Sequence, residues 1–225
     1  MIEREEDCVL IRFMTAELLV APGTLAPREE TELLGHAAVQ AIRGLGVEVP
    51  SVVDMCCGTG NLACGIALCL PEAQIWCSDC AELCVEVARR NVDRLALSNR
   101  VKVCRGDLFA GLHGLGLEGR IDAVVCNPPY ISQTLLNKRT DLLEREPREA
   151  FDGGPYGLTV HQRVIREAAR YLRWGGVLLC EIGLGQHRQV EHLLQRALFY
   201  DGIRFIANAA GEPRVVMAQR KHVPG

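Results

Sequence analysis

Hydrophobic and polar positions along the chain follow two different periods, and these periods predict its secondary structure. From residue 30 to 44, apolar residues recur every three or four positions, which predicts an amphipathic helix. Shorter apolar runs bounded by glycine, proline or aspartate predict strands. The predicted strands are 51–54, 74–77, 101–104, 121–126, 176–182, 204–207 and 214–218. Further helices are predicted after residue 60 and at about 81–91, 159–173 and 186–198.

The alternation of strands and helices predicts an α/β fold with a mostly parallel, doubly wound sheet of seven strands. The last two strands form a closing hairpin, which predicts one antiparallel strand near the edge of the sheet. A chain of 225 residues is long enough for one well-buried domain and short for two, so we predict a single domain over 1–225. Within it, 1–45 is predicted as a helical lead-in and 131–158 as a lid inserted over the substrate.

Composition and charge restrict the classes of function. The chain is 48% hydrophobic and 24% charged, and its formal net charge of -3 offers no attraction to nucleic acid or an anionic membrane. No apolar run approaches the ~18 residues of a membrane span, and the acidic N-terminus is unlike a signal peptide, so we expect a cytoplasmic protein. Cys77 and Cys80 lack a second pair at zinc spacing, so no metal site is predicted.

Three successive strand ends carry residues suited to an adenosyl ligand. In a parallel sheet, ligands bind at the carboxyl ends of the strands. Gly58 and Gly60, in the glycine loop (54–60) after the first strand of this sheet, allow a tight turn and close approach of a ligand. Asp79 ends the next strand, where a carboxylate suits a ribose diol, and Asp107 follows the third, where it suits an adenine amino group. Taken singly, each feature also fits a plain turn or a helix cap.

The acceptor turn (127–130), with the sequence Asn-Pro-Pro-Tyr, directly follows the apolar run 121–126. It places the side-chain carbonyl of Asn127 beside the backbone carbonyl of Pro128. Both groups accept hydrogen bonds and neither is a strong base, which suits a substrate that offers a planar NH2 group. Read together with the glycine loop upstream, the turn predicts methyl transfer to nitrogen, although an isolated Asn-Pro-Pro-Tyr sequence is also compatible with an ordinary proline turn.

These segments together carry a family resemblance. In chain order they are Asp54-x-x-x-Gly58-x-Gly60, Asp79, Gly106-Asp107-Leu108 and Asn127-Pro128-Pro129-Tyr130. The chain resembles the Rossmann-like class I S-adenosylmethionine (SAM) methyltransferases, and more narrowly the catalytic domain of the HemK/PrmC family of release factor glutamine N5-methyltransferases. Further matching segments are 27–32, 145–147, 153–158, 181–183 and 211–216.

The resemblance implies SAM as cofactor and assigns roles to individual residues. The implied cofactor-binding residues are Asp54, Cys56, Cys57, Gly58, Thr59, Gly60, Asp79, Asp107, Leu108 and Asn127. The implied catalytic residues are Asn127, Pro128 and Tyr130, and Pro129 joins them in contacting the substrate. Tyr130 would pack over the methyl-accepting group. Cys56 departs from the family pattern, because glycine usually occupies its position.

The substrate is less defined than the chemistry. The bacterial release-factor enzymes carry an N-terminal helical domain that reads the protein substrate, whereas only 26 residues precede segment 27–32 here. We therefore favour a free amino-acid-type molecule, such as arginine or glutamine, as the substrate. A guanidinium would also need a carboxylate partner. The candidates are Glu30, Glu32, Asp141, Glu144 and Glu146.

Three alternatives remain open. The first is a release-factor glutamine as substrate, with a partner subunit or an oligomer supplying the missing recognition surface. The second is a nucleic-acid base amine, which the acidic net charge disfavours. The third is a non-catalytic SAM-binding adaptor, which the intact acceptor turn disfavours because an adaptor needs no NH2-binding oxygens.

Overall fold

The computed structural model describes residues 8–138 and 146–222. Its strands are β1 (Val9–Phe13), β2 (Ala16–Val20), β3 (Ser51–Met55), β4 (Gln74–Asp79), β5 (Val101–Arg105), β6 (Ile121–Cys126), β7 (Leu172–Glu181), β8 (Tyr200–Ala207) and β9 (Pro213–Arg220). Its α-helices are α1 (Glu29–Gly44), α2 (Asn61–Cys69), α3 (Glu82–Arg94), α4 (Gln133–Leu136), α5 (Thr159–Tyr171) and α6 (His187–Ala197). Among these residues, no helix is both long enough and apolar enough to cross a membrane.

The main sheet has seven strands in the order β5-β4-β3-β6-β7-β9-β8. Strands β3 to β7 pair in parallel, whereas β9 runs antiparallel to both β7 and β8. The predicted doubly wound α/β sheet with one antiparallel strand near its edge is therefore confirmed. The winding direction reverses between β3 and β6, so a crevice opens at the carboxyl ends of these two strands.

Helices cover both faces of this sheet. α1, α2 and α3 cover one face, and α5, α6 and a short 3-10 helix at Leu108–Leu112 cover the other. Alternate residues of β6 enter the two cores, with Ala123 and Val125 in the first and Val124 and Cys126 in the second. A strand buried on both faces reads as a continuous apolar run, which is why β6 matches its predicted limits.

The predicted helical lead-in over 1–45 is wrong for residues 9–20, which form a hairpin of β1 and β2. Alternate positions from Ala16 to Val20 are buried, a period of two that fits a strand. The buried Asn91 of α3 fixes β2, because it accepts from Leu19 N at 2.7 Å and donates to Leu19 O at 2.9 Å. Within the described part of this lead-in, residues 8–45, α1 is the helical segment.

β7 also differs from its prediction, since it begins at Leu172 instead of residue 176. Ile121 of β6 pairs with Leu172, and Ala123 pairs with Val177, so the residues between 172 and 177 bulge from the ladder. Gly175 within this bulge has φ +77°, a conformation that glycine adopts readily. The bulge ends α5 at Tyr171, two residues before its predicted limit.

Candidate active site

The glycine loop turns sharply between β3 and α2. Gly58 and Gly60 have φ values of +53° and +78°, and a Cβ at Gly58 would meet nothing within 4 Å. Cys56 also has a positive φ, +59°. Its side chain costs about 1–2 kcal/mol in this left-handed region, which explains why glycine is the usual residue there. Although Cys56 replaces glycine, the surface of the loop over Gly58 stays open.

Asp54 is the first residue of the glycine loop and is fully buried. Its Oδ2 accepts from the backbone N of Ala63 at 2.9 Å, in the first turn of α2, and so fixes the start of that helix. Burial raises the pKa of Asp54 to about 8. Within the described ranges, Asp54 Oδ1 and the buried Thr59 Oγ1 have no hydrogen-bond partner.

We expect Asp54→Asn to flatten the pH dependence of stability. Because the folded pKa of Asp54 lies above its ordinary value of 3.8, the folded state holds this proton when the unfolded state has lost it. The associated stability is fully present below pH 3.8 and is lost as pH rises towards about 8, with a slope of up to ~1.4 kcal/mol per pH unit. Asparagine removes this contribution. In urea unfolding, the free energy of unfolding of the variant should therefore rise relative to that of wild type from pH 4 to about 8. The exposed Asp201→Asn is the matched control, and parallel profiles for Asp54→Asn and wild type would contradict the expectation.

Asp79 lies beside the glycine loop, as the sequence predicts for a ribose-binding residue. Its Oδ2 accepts from Gly58 N at 2.9 Å and its Oδ1 from Ala81 N at 3.0 Å. Burial raises the pKa of Asp79, and these N–H groups oppose that rise. Each carboxylate oxygen has a second lone pair, so the group retains the capacity to accept from a ligand.

Asp107 follows β5 and forms a contact that the sequence does not indicate. Both of its oxygens accept from the guanidinium of Arg163 on α5, at 3.0 Å each. The Asp107 side chain is 65% exposed, so this pair contributes little to stability. Leu108 is buried beside it with φ +50°. Arg163 is a site residue that the sequence analysis did not name, because only the packing of α5 against the sheet brings it to Asp107.

The acceptor turn follows β6, and two of its side chains belong to a partly buried network of five residues. They are Thr31, Asn127, Tyr130, Glu181 and Arg214. Asn127 Nδ2 donates to Thr31 Oγ1 at 3.1 Å, and Thr31 Oγ1 donates to Glu181 Oε2 at 2.7 Å. The Tyr130 hydroxyl donates to Glu181 Oε1 at 3.1 Å. Arg214 Nη2 lies 3.3 Å from the Tyr130 hydroxyl and 3.6 Å from Glu181 Oε1.

Burial and the charges in this partly buried network explain the direction of two pKa shifts. Burial raises the pKa of Glu181, and the Thr31 and Tyr130 hydroxyls and the Arg214 charge oppose that rise. The pKa of Tyr130 is raised, first by burial and then by the charge of Glu181. Tyr130 therefore stays protonated at neutral pH and acts as a hydrogen-bond donor to Glu181.

The backbone of the acceptor turn is held from the opposite side by Gln186. Its Nε2 donates to the carbonyl oxygens of Tyr130 at 2.9 Å and Gly157 at 3.3 Å. Gly157 packs so closely that a Cβ on it would lie 2.3 Å from Tyr130 O. Segment 153–158 of the predicted lid thus lies against the turn. Its role over a substrate stays a prediction.

The carboxylates considered as guanidinium partners are distributed unevenly. Glu32 accepts from Met14 N at 2.6 Å, and Glu146 accepts from Ala26 N at 3.1 Å and Arg28 Nη2 at 2.6 Å. Asp141 and Glu144 lie outside the described residues. Glu30 is exposed in the first turn of α1, and its charge contributes to raising the pKa values of Glu181 and Tyr130. Glu30 is therefore the described candidate whose charge reaches the acceptor turn.

A doubly wound sheet with a glycine loop and an Asn-Pro-Pro-Tyr turn at neighbouring strand ends defines a class I SAM-dependent N-methyltransferase. A family model described as methyltransferase small domain matches residues 42–150. The chain is 34% identical to the release factor glutamine methyltransferase of Moorella thermoacetica, over 93% of this chain and 72% of that protein. The chain belongs to the release factor glutamine methyltransferase family, and its cofactor is SAM.

Two further proteins place this family relationship in context. The chain is 40% identical to the ribosomal protein uL3 glutamine methyltransferase of Bradyrhizobium diazoefficiens, over 61% of this chain and 42% of that protein. Among solved structures, the T. thermophilus 16S rRNA N2 G1207 methyltransferase superposes with a TM-score of 0.68 at 22% identity, covering 95% of this chain and 50% of that one. The second similarity concerns the fold alone.

The residues at the crevice fit the cofactor. The space over Gly58 admits a ligand against the backbone, and the Asp79 carboxylate beside it keeps lone pairs for a diol. The buried Asp54 Oδ1 and Thr59 Oγ1, in the same loop, are unpaired within the described part of the chain. When bound, SAM supplies an electrophilic methyl group on its sulfonium.

Proposed function

We propose that this protein methylates the N5 atom of a glutamine side chain in a peptide release factor. The observation that carries the proposal is the orientation of Asn127. Its Nδ2 is bonded to Thr31 Oγ1, so its Oδ1 faces the other way, and no described residue donates to it. Asn127 Oδ1 and the Pro128 carbonyl oxygen, which we call the acceptor pair, then suit a planar NH2 group.

An amide suits the acceptor pair better than a guanidinium does. A guanidinium substrate needs a carboxylate partner. An amide needs no such partner, and among the considered carboxylates that the structure describes, Glu30 is the one whose charge reaches the acceptor turn. The two relatives are named for a glutamine in a release factor and in ribosomal protein uL3, and both names support a protein amide. The free amino acid favoured by the sequence gains no such support.

The surface around the acceptor turn also suits a protein substrate. Tyr156 is 85% exposed and precedes Gly157, which packs against the turn. Leu184 is 58% exposed and follows Gly183, whose Cβ position lies 3.1 Å from the Tyr130 ring. We expect these two side chains to contribute to binding a protein substrate, because exposed apolar surface beside a site can form part of an interaction surface. A free glutamine is too small to need them.

The acceptor pair performs the chemistry by holding and orienting the amide nitrogen. The substrate NH2 donates its two hydrogens to Asn127 Oδ1 and Pro128 O at ordinary distances of about 2.7–3.2 Å. This fixes the amide plane, so the nitrogen lone pair points out of that plane towards the methyl donor. The two oxygens would stabilise the positive charge that develops on nitrogen as the N–C bond forms and the methyl–sulfur bond of the sulfonium breaks, which leaves a neutral thioether. The methylated nitrogen then loses one proton to water.

We expect the protein to transfer a labelled methyl group from SAM to a glutamine of a peptide release factor. The screen offers a release factor, protein uL3, free glutamine, free arginine and RNA in parallel, and mass spectrometry locates the label. The release factor and uL3 both present the amide within a protein, whereas free glutamine presents the amide alone. Label confined to free arginine or to RNA would contradict the proposal. Preferential labelling of uL3 would make uL3 the protein substrate and leave the proposed reaction unchanged.

A further inference from the structure

We infer that Thr31 and Glu181 are positioning residues for methyl transfer, because together they fix which end of the Asn127 amide faces the substrate. The inference rests on the proposed function, in which Asn127 Oδ1 accepts from the substrate NH2. Thr31 belongs to α1 and Glu181 ends β7, so neither belongs to the acceptor turn that they orient.

The direction of the hydrogen bonds follows from the number of protons available. A threonine hydroxyl has a single proton, and Thr31 places it on Glu181 Oε2 at 2.7 Å. The same hydroxyl oxygen lies 3.1 Å from the Asn127 side chain and has only lone pairs left to offer. It therefore selects the Nδ2 end of the amide and turns Oδ1 away from α1.

A reversed Asn127 amide would be unfavourable on both sides. Its oxygen would face Thr31 Oγ1, and two acceptors would oppose each other inside the protein. Its NH2 would face the substrate NH2, and two donors would oppose each other there. Thr31 is only 1% exposed, so water does not relieve the first conflict. The contact with Thr31 thus prepares the carbonyl orientation before the substrate arrives.

Glu181 sets the direction of a second hydroxyl in the same way. An ionised carboxylate only accepts, and Glu181 Oε1 accepts from the Tyr130 hydroxyl at 3.1 Å while Oε2 accepts from Thr31. Bonds to a charged acceptor are stronger than neutral ones, and Glu181 is only 1% exposed. A single carboxylate therefore orients both polar side chains of the acceptor turn, Asn127 through Thr31 and Tyr130 directly.

The first test compares Thr31→Val with Thr31→Ser. Valine has nearly the shape of threonine without the hydroxyl, whereas serine keeps the hydroxyl. We expect Thr31→Val to lower kcat towards the release factor about tenfold or more, the scale of one lost oriented hydrogen bond, with the SAM dissociation constant within about twofold. Thr31→Ser should keep kcat within about threefold of wild type. A purely structural role would not separate kcat from SAM binding or give this rescue.

Glu181→Gln provides an independent test, which also applies if Thr31→Val fails to fold. A carboxamide accepts through its oxygen alone, so Thr31 or Tyr130 would then face an NH2 group. We expect kcat to fall about tenfold or more, and the Thr31→Val/Glu181→Gln double variant to lose less than the product of the two single losses.

Unchanged kcat in both single variants would overturn the inference. If wild type still methylates glutamine in that case, the proposed function stands and only the positioning role fails. If wild type transfers no methyl group to glutamine, the proposed function itself fails.

Discussion

Asn127→Ala is expected to lower kcat for glutamine methylation about 10²-fold or more, the scale of losing one pre-oriented partner of the reacting group. Alanine removes Oδ1, so the substrate NH2 keeps only the Pro128 carbonyl as an acceptor and loses its fixed plane. The loss falls on the chemical step because the charge on nitrogen, and hence the strength of this contact, grows towards the transition state. Single-turnover transfer of a labelled methyl group to a release factor measures it.

Asn99→Ala is the matched control for this variant. Asn99 is exposed before β5, at the amino ends of the strands, and should keep wild-type kcat. The thermal shift produced by SAM monitors cofactor binding in all variants, because a ligand at 100 times its dissociation constant stabilises by about 2.7 kcal/mol. A kcat for Asn127→Ala within a few-fold of wild type would show that the acceptor pair does not hold the reacting nitrogen.

The fold was largely predictable because the sheet is buried on both faces. Such strands leave continuous apolar runs, and β3 and β6 start at the predicted residues. The β1–β2 hairpin was not predicted, because its turn at Met14 has no glycine or proline and its strands have only five residues each. Its stability comes instead from contacts with Asn91 and Glu32, which no local pattern reveals.

The site was predictable where residues act from strand ends and not where side chains meet across elements. The glycine loop, Asp79 and the acceptor turn meet because parallel strands end at one edge. Thr31 and Glu181 are 150 positions apart, and the packing of α1 against β7 brings them together. The proposed protein substrate was not the first choice from sequence, because the acceptor pair would bind an NH2 group in the same way whatever molecule carries it.

Arg214→Ala is expected to lower the free energy of unfolding by about 3 kcal/mol, the lower end for breaking a buried ion pair. Its guanidinium lies 3.6 Å from Glu181 Oε1, and both side chains are buried. Without it the carboxylate keeps only its two hydroxyl partners, so its charge stays poorly compensated. For a chain of this size, the midpoint of thermal unfolding should fall by roughly 6–12 °C in calorimetry.

The effect of Arg214→Ala should depend on pH in one direction. Burial already raises the pKa of Glu181, and removal of the Arg214 charge raises it further. The cost therefore applies where wild-type Glu181 is ionised, and it should shrink as pH falls and the carboxyl becomes neutral in both proteins. Arg204→Ala, on the exposed face of neighbouring β8, is the matched control and should change stability by no more than about 0.5 kcal/mol. If Arg214→Ala cost the same at low and neutral pH, its stabilising role would be packing and not compensation of Glu181.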